Sequence, residues 1–230
     1  MNKLAQTEYH SVDEEWLASY CAGGLSSAKR LLIACQVALN SKLSLRLDAM
    51  DAVGGALLES AAGEAVSDRF FAQVIDKLDS ISISESSNVE SSKGPEMGGF
   101  PSWAPSPLED FLAHVGVSLK WKKLGFGMER ASLPSDGDGG ENLYLLKSPP
   151  GLKIPRHSHD GEEWALILQG GYHVGDVGYK AGDLHREDEN CTHTPIVDDD
   201  GEQCITLVAI EGGLRFSNPI MRLLKPVLGI

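Results

Sequence analysis

The sequence predicts an α+β chain in two parts, a helical N-terminal segment followed by a C-terminal domain of antiparallel strands. Three observations lead there. Apolar residues recur at helical spacing from residue 10 to about 80, a Ser/Gly/Pro-rich stretch then interrupts the chain, and beyond it short apolar runs alternate with turn signals. The expected division is a helical domain over 1–80, a linker over 81–107 and a strand domain over 108–230, within the size range of two small domains.

The helices follow in order. Ser11 with Glu14 reads as a capping box ahead of Trp16, Leu17, Tyr20 and Cys21, and Gly23-Gly24 ends that helix. Ser26 or Ser27 caps a second helix carrying Leu31, Leu32, Ile33, Val37 and Leu39. Asn40-Ser41-Lys42 reads as a break. A third helix carries Leu45, Leu47, Met50, Val53, Leu57 and Leu58, with Gly54-Gly55 weakening it, and Ser67-Asp68 starts a fourth with Phe70, Phe71, Val74, Ile75 and Leu78. After Pro107 come a short helix and then strand signals in LKWKKLGFGMERASL, ENLYLLKS, EEWALILQGGYHVGDVGYKAGD and QCITLVAI. SDGDGG and DDDGE lack the full calcium-loop pattern and read as solvated acidic turns.

A net charge of −13 argues against a general nucleic-acid binder and suits a basic protein partner. No stretch is long and apolar enough to cross a membrane, and the first residues lack the apolar core of a signal peptide. Cys21, Cys35, Cys191 and Cys204 form no C-x-x-C pair, so the expected location is the reducing cytoplasm.

The stretch from Gly151 to Gly170 reads G-x5-H-x-H-x3-E-x6-G. On a strand, His157 and His159 share a face, and after the Asp160-Gly161 turn the chain re-enters a strand with Glu163 facing back. Two imidazoles and a carboxylate on one point make a site for a divalent transition metal. Glu162 would face the opposite way, and His173 reads as exposed. His185 reads as a surface residue or as one lying just behind the ligands. From Gly182, the run GDLHREDENCTH has the spacing of a second motif, G-x5-P-x-G-x2-H, with Asp188 and Asn190 in place of the proline and second glycine.

The two motifs resemble those of the cupin superfamily, small antiparallel β-barrels or jelly rolls with a metal in the mouth. That resemblance implies the ligand set His157, His159, Glu163 and His193. Cys191, two residues before His193, would share its face on a strand, either as a redox-sensitive neighbour of the metal or as a packing residue. Cys204, in an apolar run, reads as core.

The whole layout resembles the ChrR-type anti-sigma factors, on HSVDEEWLASYCAGGLSSA, DAVGGALLES, the linker, SHDGEEWALILQGGY, AGD, THTP and the terminal LRFSN. The resemblance implies a helical domain (1–80) that sequesters an extracytoplasmic-function-type sigma factor, with no direct nucleic-acid contact. It also implies a regulatory cupin domain needed for release under singlet oxygen or organic peroxide. It favours zinc in the cupin, although iron, manganese and nickel suit the same ligands. One departure stands out: Gln36, Asn40 and Leu43 occupy the positions of the family's H-x3-C-x2-C zinc ligands, so no zinc is expected in the helical domain, which must hold by apolar packing. A substitute site from His10, Cys21 and Cys35 is the rival there. The alternative function is a metal-dependent cupin enzyme, dioxygenase-like, with a helical assembly domain; a homodimer stays open.

Overall fold

The computed structural model describes residues 10–80, 100–135 and 141–217. The first nine residues, the linker from 81 to 99, the SDGDGG turn from residue 136 and the chain from residue 218 lie outside the described residues. Residues up to Asp51 and from Pro101 onward form one compact unit, and Ala52–Phe100 form a second.

Five helices are described: α1 (Glu14–Cys21), α2 (Ser27–Leu39), α3 (Ser41–Ser60), α4 (Asp68–Ser80) and α5 (Ser106–Val115). The expected Ser11 cap of α1 is replaced by Asp13, whose carboxylate accepts from the Trp16 N–H at 3.2 Å. A carboxylate caps as well as a hydroxyl and also answers the positive end of the helix dipole. Ser26 caps α2 as expected. Between α2 and α3 the break is a single residue: Asn40 Oδ1 accepts from the N–H groups of Lys42 and Leu43, turning the chain and capping α3 at once. α3 then runs through Gly54-Gly55 without interruption.

Eleven strands are described, numbered from β1 (Lys122–Lys123) to β11 (Leu214–Phe216). Six of them, β1, β2 (Glu129–Leu133), β3 (Glu141–Ser148), β10 (Cys204–Glu211), β5 (Glu163–Gln169) and β8 (Leu184–Glu187), make the main sheet in that spatial order. β6 (Gly171–Val174), β7 (Val177–Lys180) and β9 (Ile196–Val197) make a second, and β11 with β4 (His157–His159) a third. Among the described residues the sheets face one another as an open jelly roll and do not close into a barrel. The first strand signal, 119–133, is broken by a 3₁₀ turn in which Phe126 holds φ 64°, so β1 and β2 form a short antiparallel pair.

Alternation decides what the main sheet does. Leu143 and Leu145 on β3, Leu207 and Ala209 on β10, and Trp164 and Leu166 on β5 are all buried on one face. α2 packs against β3, β5 and β10 and against α5, so this face, with Leu32, Ile33, Leu108 and Leu112, is the core. The opposite face, carrying the intervening residues, looks into the jelly roll. At the margin Lys29, from α2, reaches Glu162 at 2.8 Å and Glu211 at 2.9 Å, and lies 5.5 Å from the rings of both Trp16 and Trp164. Burial works against the Lys29 charge, yet the two carboxylates more than offset it and raise its pKa.

Gln36, Asn40 and Leu43 each have other work in place of metal ligation. Gln36 is fully buried: Oε1 accepts from the Val12 N–H at 3.1 Å, and Nε2 donates to the carbonyls of His10 (2.9 Å) and Gly182 (3.1 Å). One amide thus ties α2 to the segment before α1 and to the turn before β8. Asn40 is the cap described above, and Leu43 is 1% exposed, filling core space. The residues of the rival site have separate neighbours: His10 lies 3.3 Å from Asp183 and stacks on Tyr179, Cys21 is exposed beside Asp51, and Cys35 is buried near Leu108. Gln36→Leu would strand the Val12 N–H and the Gly182 carbonyl and leave the His10 carbonyl with the Leu184 N–H alone. A loss of about 2–4 kcal/mol is expected, seen as a thermal midpoint several degrees lower. An unchanged midpoint would count against the amide as a tie.

Candidate metal centre

The two histidines of the H-x-H pair sit on β4, where the two-residue period turns both rings inward; His157 is 4% exposed and His159 fully buried. Asp160-Gly161 bends the chain as expected, and a strand resumes at Glu163 without forming a hairpin with the one before. β4 pairs with β11 while β5 pairs with β10 and β8, so the bend hands the chain from one sheet to another. That transfer brings Glu163, the first residue of β5, across to the two histidines. The motif glycines serve the same path. Gly151 and Gly170 hold φ of 69° and 67°, and at Gly170 a Cβ would lie 2.9 Å from the Gln203 carbonyl, so a side chain there is excluded by both strain and contact.

His193 arrives from the loop after β8. Its backbone exchanges two hydrogen bonds with His157, N–H to carbonyl at 3.1 and 3.0 Å, which fixes the two side chains next to each other. The proline and glycine missing from the second motif are replaced by an Asx turn: Asp188 Oδ1 accepts from the N–H groups of Asn190 and Cys191.

The four side chains converge. His193 Nε2 lies 2.9 Å from His157 Nε2, 3.1 Å from His159 Nε2 and 3.9 Å from Glu163 Oε2, and His159 Nε2 lies 3.2 Å from Glu163 Oε2. A tetrahedron with zinc–ligand bonds of about 2.1 Å has edges of roughly 3.4 Å, so the set fits a four-coordinate ion. His157 Nδ1 donates to the Pro155 carbonyl at 2.8 Å, which places its proton there and leaves the Nε2 lone pair aimed at the others. Burial, with the neighbouring imidazoles, holds His157 down to about 4 and His159 down to about 3, so both rings are neutral near pH 7 and ready to ligate.

Burial pushes Glu163 up to about 7. Its proton must leave when a cation enters. Below pH 7 the carboxyl binds that proton and competes with the ion, whereas His157 and His159 stay unprotonated down to about 4 and 3 and add no competition there. Affinity for a divalent cation is therefore expected to weaken as the pH falls below 7, by up to about tenfold per pH unit from this carboxyl. A competition titration against a chromophoric chelator from acid to neutral pH measures this; a flat profile would contradict the buried carboxyl.

Behind the ring stands a residue the sequence reading did not single out. Glu187 Oε1 lies 3.3 Å from His193 Nδ1 and accepts from His185 Nε2 at 2.8 Å, and Tyr172 OH donates to His185 Nδ1 at 2.9 Å. His185 is thus buried behind the four converging side chains, with both ring nitrogens engaged. The signal was present, since His185 and Glu187 alternate on β8 and must share a face. The Cys191 thiol hydrogen-bonds Glu187, and that bond, with burial, pushes it up to about 11. Glu162 faces away as expected, toward Lys29, and His173 is only partly exposed, 3.4 Å from Asp198. Cys204 is buried in the small core with Ile167, Tyr172, Tyr179 and Val197.

Comparison with known proteins places these features in a family context. The ChrR cupin-like domain family matches residues 110–210. Anti-sigma-E factor ChrR of Cereibacter sphaeroides is 33% identical over 221 residues, covering 96% of this chain and 98% of that protein. The crystal structure of Rhodobacter sphaeroides SigE in complex with the anti-sigma ChrR superposes with a TM-score of 0.71 at 32% identity, covering 88% of this chain and 98% of that one.

Proposed function

The chain belongs to the ChrR family, and from that premise we propose that it is an anti-sigma factor that sequesters an extracytoplasmic-function-type sigma factor through residues 1–80. The observation that carries the proposal is that the 33% identity runs through the helical segment as well as the β-domain. A physical feature of the helices supports it. Phe71, Val74, Ile75 and Leu78 recur at three- and four-residue spacing on α4 and are 40–62% exposed, and the second half of α3 presents Val53, Leu57 and Leu58 in the same way. Apolar stripes of this size on a monomer mark a protein-binding surface. The net charge of −13 would favour a partner with a basic DNA-binding surface, speeding encounter more than strengthening the complex.

In this reading His157, His159, Glu163 and His193 hold one zinc ion. Four protein ligands close the coordination sphere, which suits a structural or sensory ion better than a catalytic one. The ion ties β4, β5 and the loop after β8 together, so chemistry that displaces a ligand would loosen three elements at once. Oxidation by singlet oxygen or peroxide is the proposed trigger, and the cytoplasm the proposed location, where no helix among the described residues is long and apolar enough to cross a membrane. Co-expression with such a sigma factor from the same genome is the test. A stoichiometric complex is expected that inhibits sigma-dependent transcription and dissociates on exposure to singlet oxygen. Failure to form any complex would overturn the anti-sigma role, and a complex indifferent to the oxidant would overturn the sensor.

A further inference from the structure

We propose that the jelly-roll interior is a binding site for a small apolar monocarboxylate, gripped by Arg130 at one end and reaching the metal centre at the other. The face of the main sheet turned away from the helices lines a cavity of about 190 Å³, with Tyr144, Val208 and Ile210 on its floor and Leu214 and Phe216 opposite. Glu163, His157 and His193 form one end of it. Arg130 is the only lysine or arginine among the described residues that line it. An apolar cavity with a few convergent polar groups is the usual form of a ligand site, and this volume, below the 300–1,000 Å³ of drug-sized sites, suits a ligand of roughly ten non-hydrogen atoms.

Arg130 sets the charge of the ligand. Its Cζ lies over the Tyr144 ring, 4.1 Å from the centroid, and its N–H donors lie along the edge of the guanidinium plane. On that edge Nε is buried and has no hydrogen-bond partner. A buried N–H left unpaired is costly, and Nε with a neighbouring Nη forms the fork that a carboxylate fills with two parallel bonds. A dianion would want a second basic side chain, and none lines the cavity among the described residues. The position of Arg130 sets the length. β2 and β5 lie three strand spacings apart, about 14 Å, so an apolar body extending from the Arg130 fork runs across Tyr144 and Val208 toward Glu163 on β5. With four protein ligands closing the ion, the carboxylate belongs at Arg130 and the apolar end abuts the ligand ring.

This site is independent of sigma-factor capture, and either can fail without the other. The test is calorimetry on the zinc-loaded full-length protein with phenylacetate, benzoate and 4-methylpentanoate, and with phenylacetamide as the neutral control. At least one acid is expected to bind, and phenylacetamide at least tenfold more weakly. Arg130→Gln should lower affinity for that acid at least tenfold while keeping one zinc per chain and an unchanged melt. Arg130→Lys, which keeps the charge and loses the fork, should fall between. Acid binding that survives Arg130→Gln, amide binding equal to that of the acid, or no binding of any acid at concentrations up to about 10 mM, a free energy near −3 kcal/mol, would overturn the proposal.

Discussion

Phe71→Asp combined with Ile75→Asp is expected to abolish capture of the sigma factor and to leave metal binding and the melt unchanged. Both side chains lie on the exposed stripe of α4, at 62% and 40% exposure, so the free chain loses little when they become polar. Neither is in the unit that contains the metal centre. In a complex the account reverses. An aromatic anchor buried at the centre of an interface is worth about 2–4 kcal/mol, and a carboxylate forced into the same apolar position costs its desolvation as well. Two such positions together exceed about 5 kcal/mol, which takes a nanomolar complex to the micromolar range or weaker. A pull-down with the double variant, alongside an Asp76→Lys control on the same helix, separates loss of the apolar stripe from a general change of charge. If the double variant still captures the sigma factor at wild-type strength, α4 is not the docking element.

The exposure of that stripe also shows where the sequence could and could not be read. Helical periodicity over Phe70–Leu78 was plain, because the pattern is local. Whether those residues point into a core or toward a partner is not local, and the sequence alone suggested four helices packed on one another. In the structure the apolar face of α2 is covered by α5 and the main sheet, while the stripe of α4 is exposed. The same division runs through the metal centre. His157, His159 and Glu163 were legible because the two-residue period of a strand puts the imidazoles on one face and the spacing to the glutamate is short. His193 was legible from spacing although the proline and glycine of its motif are gone, because Asp188 makes the same turn with its side chain. Glu187 and Arg130 went unread. Each acts across strands, Glu187 from β8 onto the loop histidine and Arg130 from β2 over Tyr144, and strand order β1-β2-β3-β10-β5-β8 is not written in any single segment. Gln36 was noticed only as a missing ligand. Its three hydrogen bonds join parts of the chain up to 146 residues apart, which no window on the sequence contains.

His193→Ala should empty the metal centre, whereas His185→Ala should leave one zinc per chain. The contrast is informative because both histidines are buried and both lie close to Glu187. Geometry separates them. His193 Nε2 is within 2.9–3.9 Å of the donor atoms of His157, His159 and Glu163, while His185 spends both ring nitrogens on Glu187 and Tyr172. Structural zinc binds with about 10–16 kcal/mol, so one of four ligands carries a share of about 2.5–4 kcal/mol, or roughly 10²–10³ in affinity. The fold around His193 should survive the change, because its tie to His157 is through the backbone and does not need the ring. Elemental analysis of the two variants reads the difference directly, and chelator does so through stability: any agent bound only by the native state stabilises it by mass action. The wild-type and His185→Ala melts should therefore fall when zinc is stripped, and the His193→Ala melt should not move. Zinc retained at one per chain in His193→Ala would mean that His157, His159 and Glu163 suffice on their own. The fourth position would then be open to water or substrate, which is the arrangement of a catalytic metal and would shift the balance from sensor to enzyme.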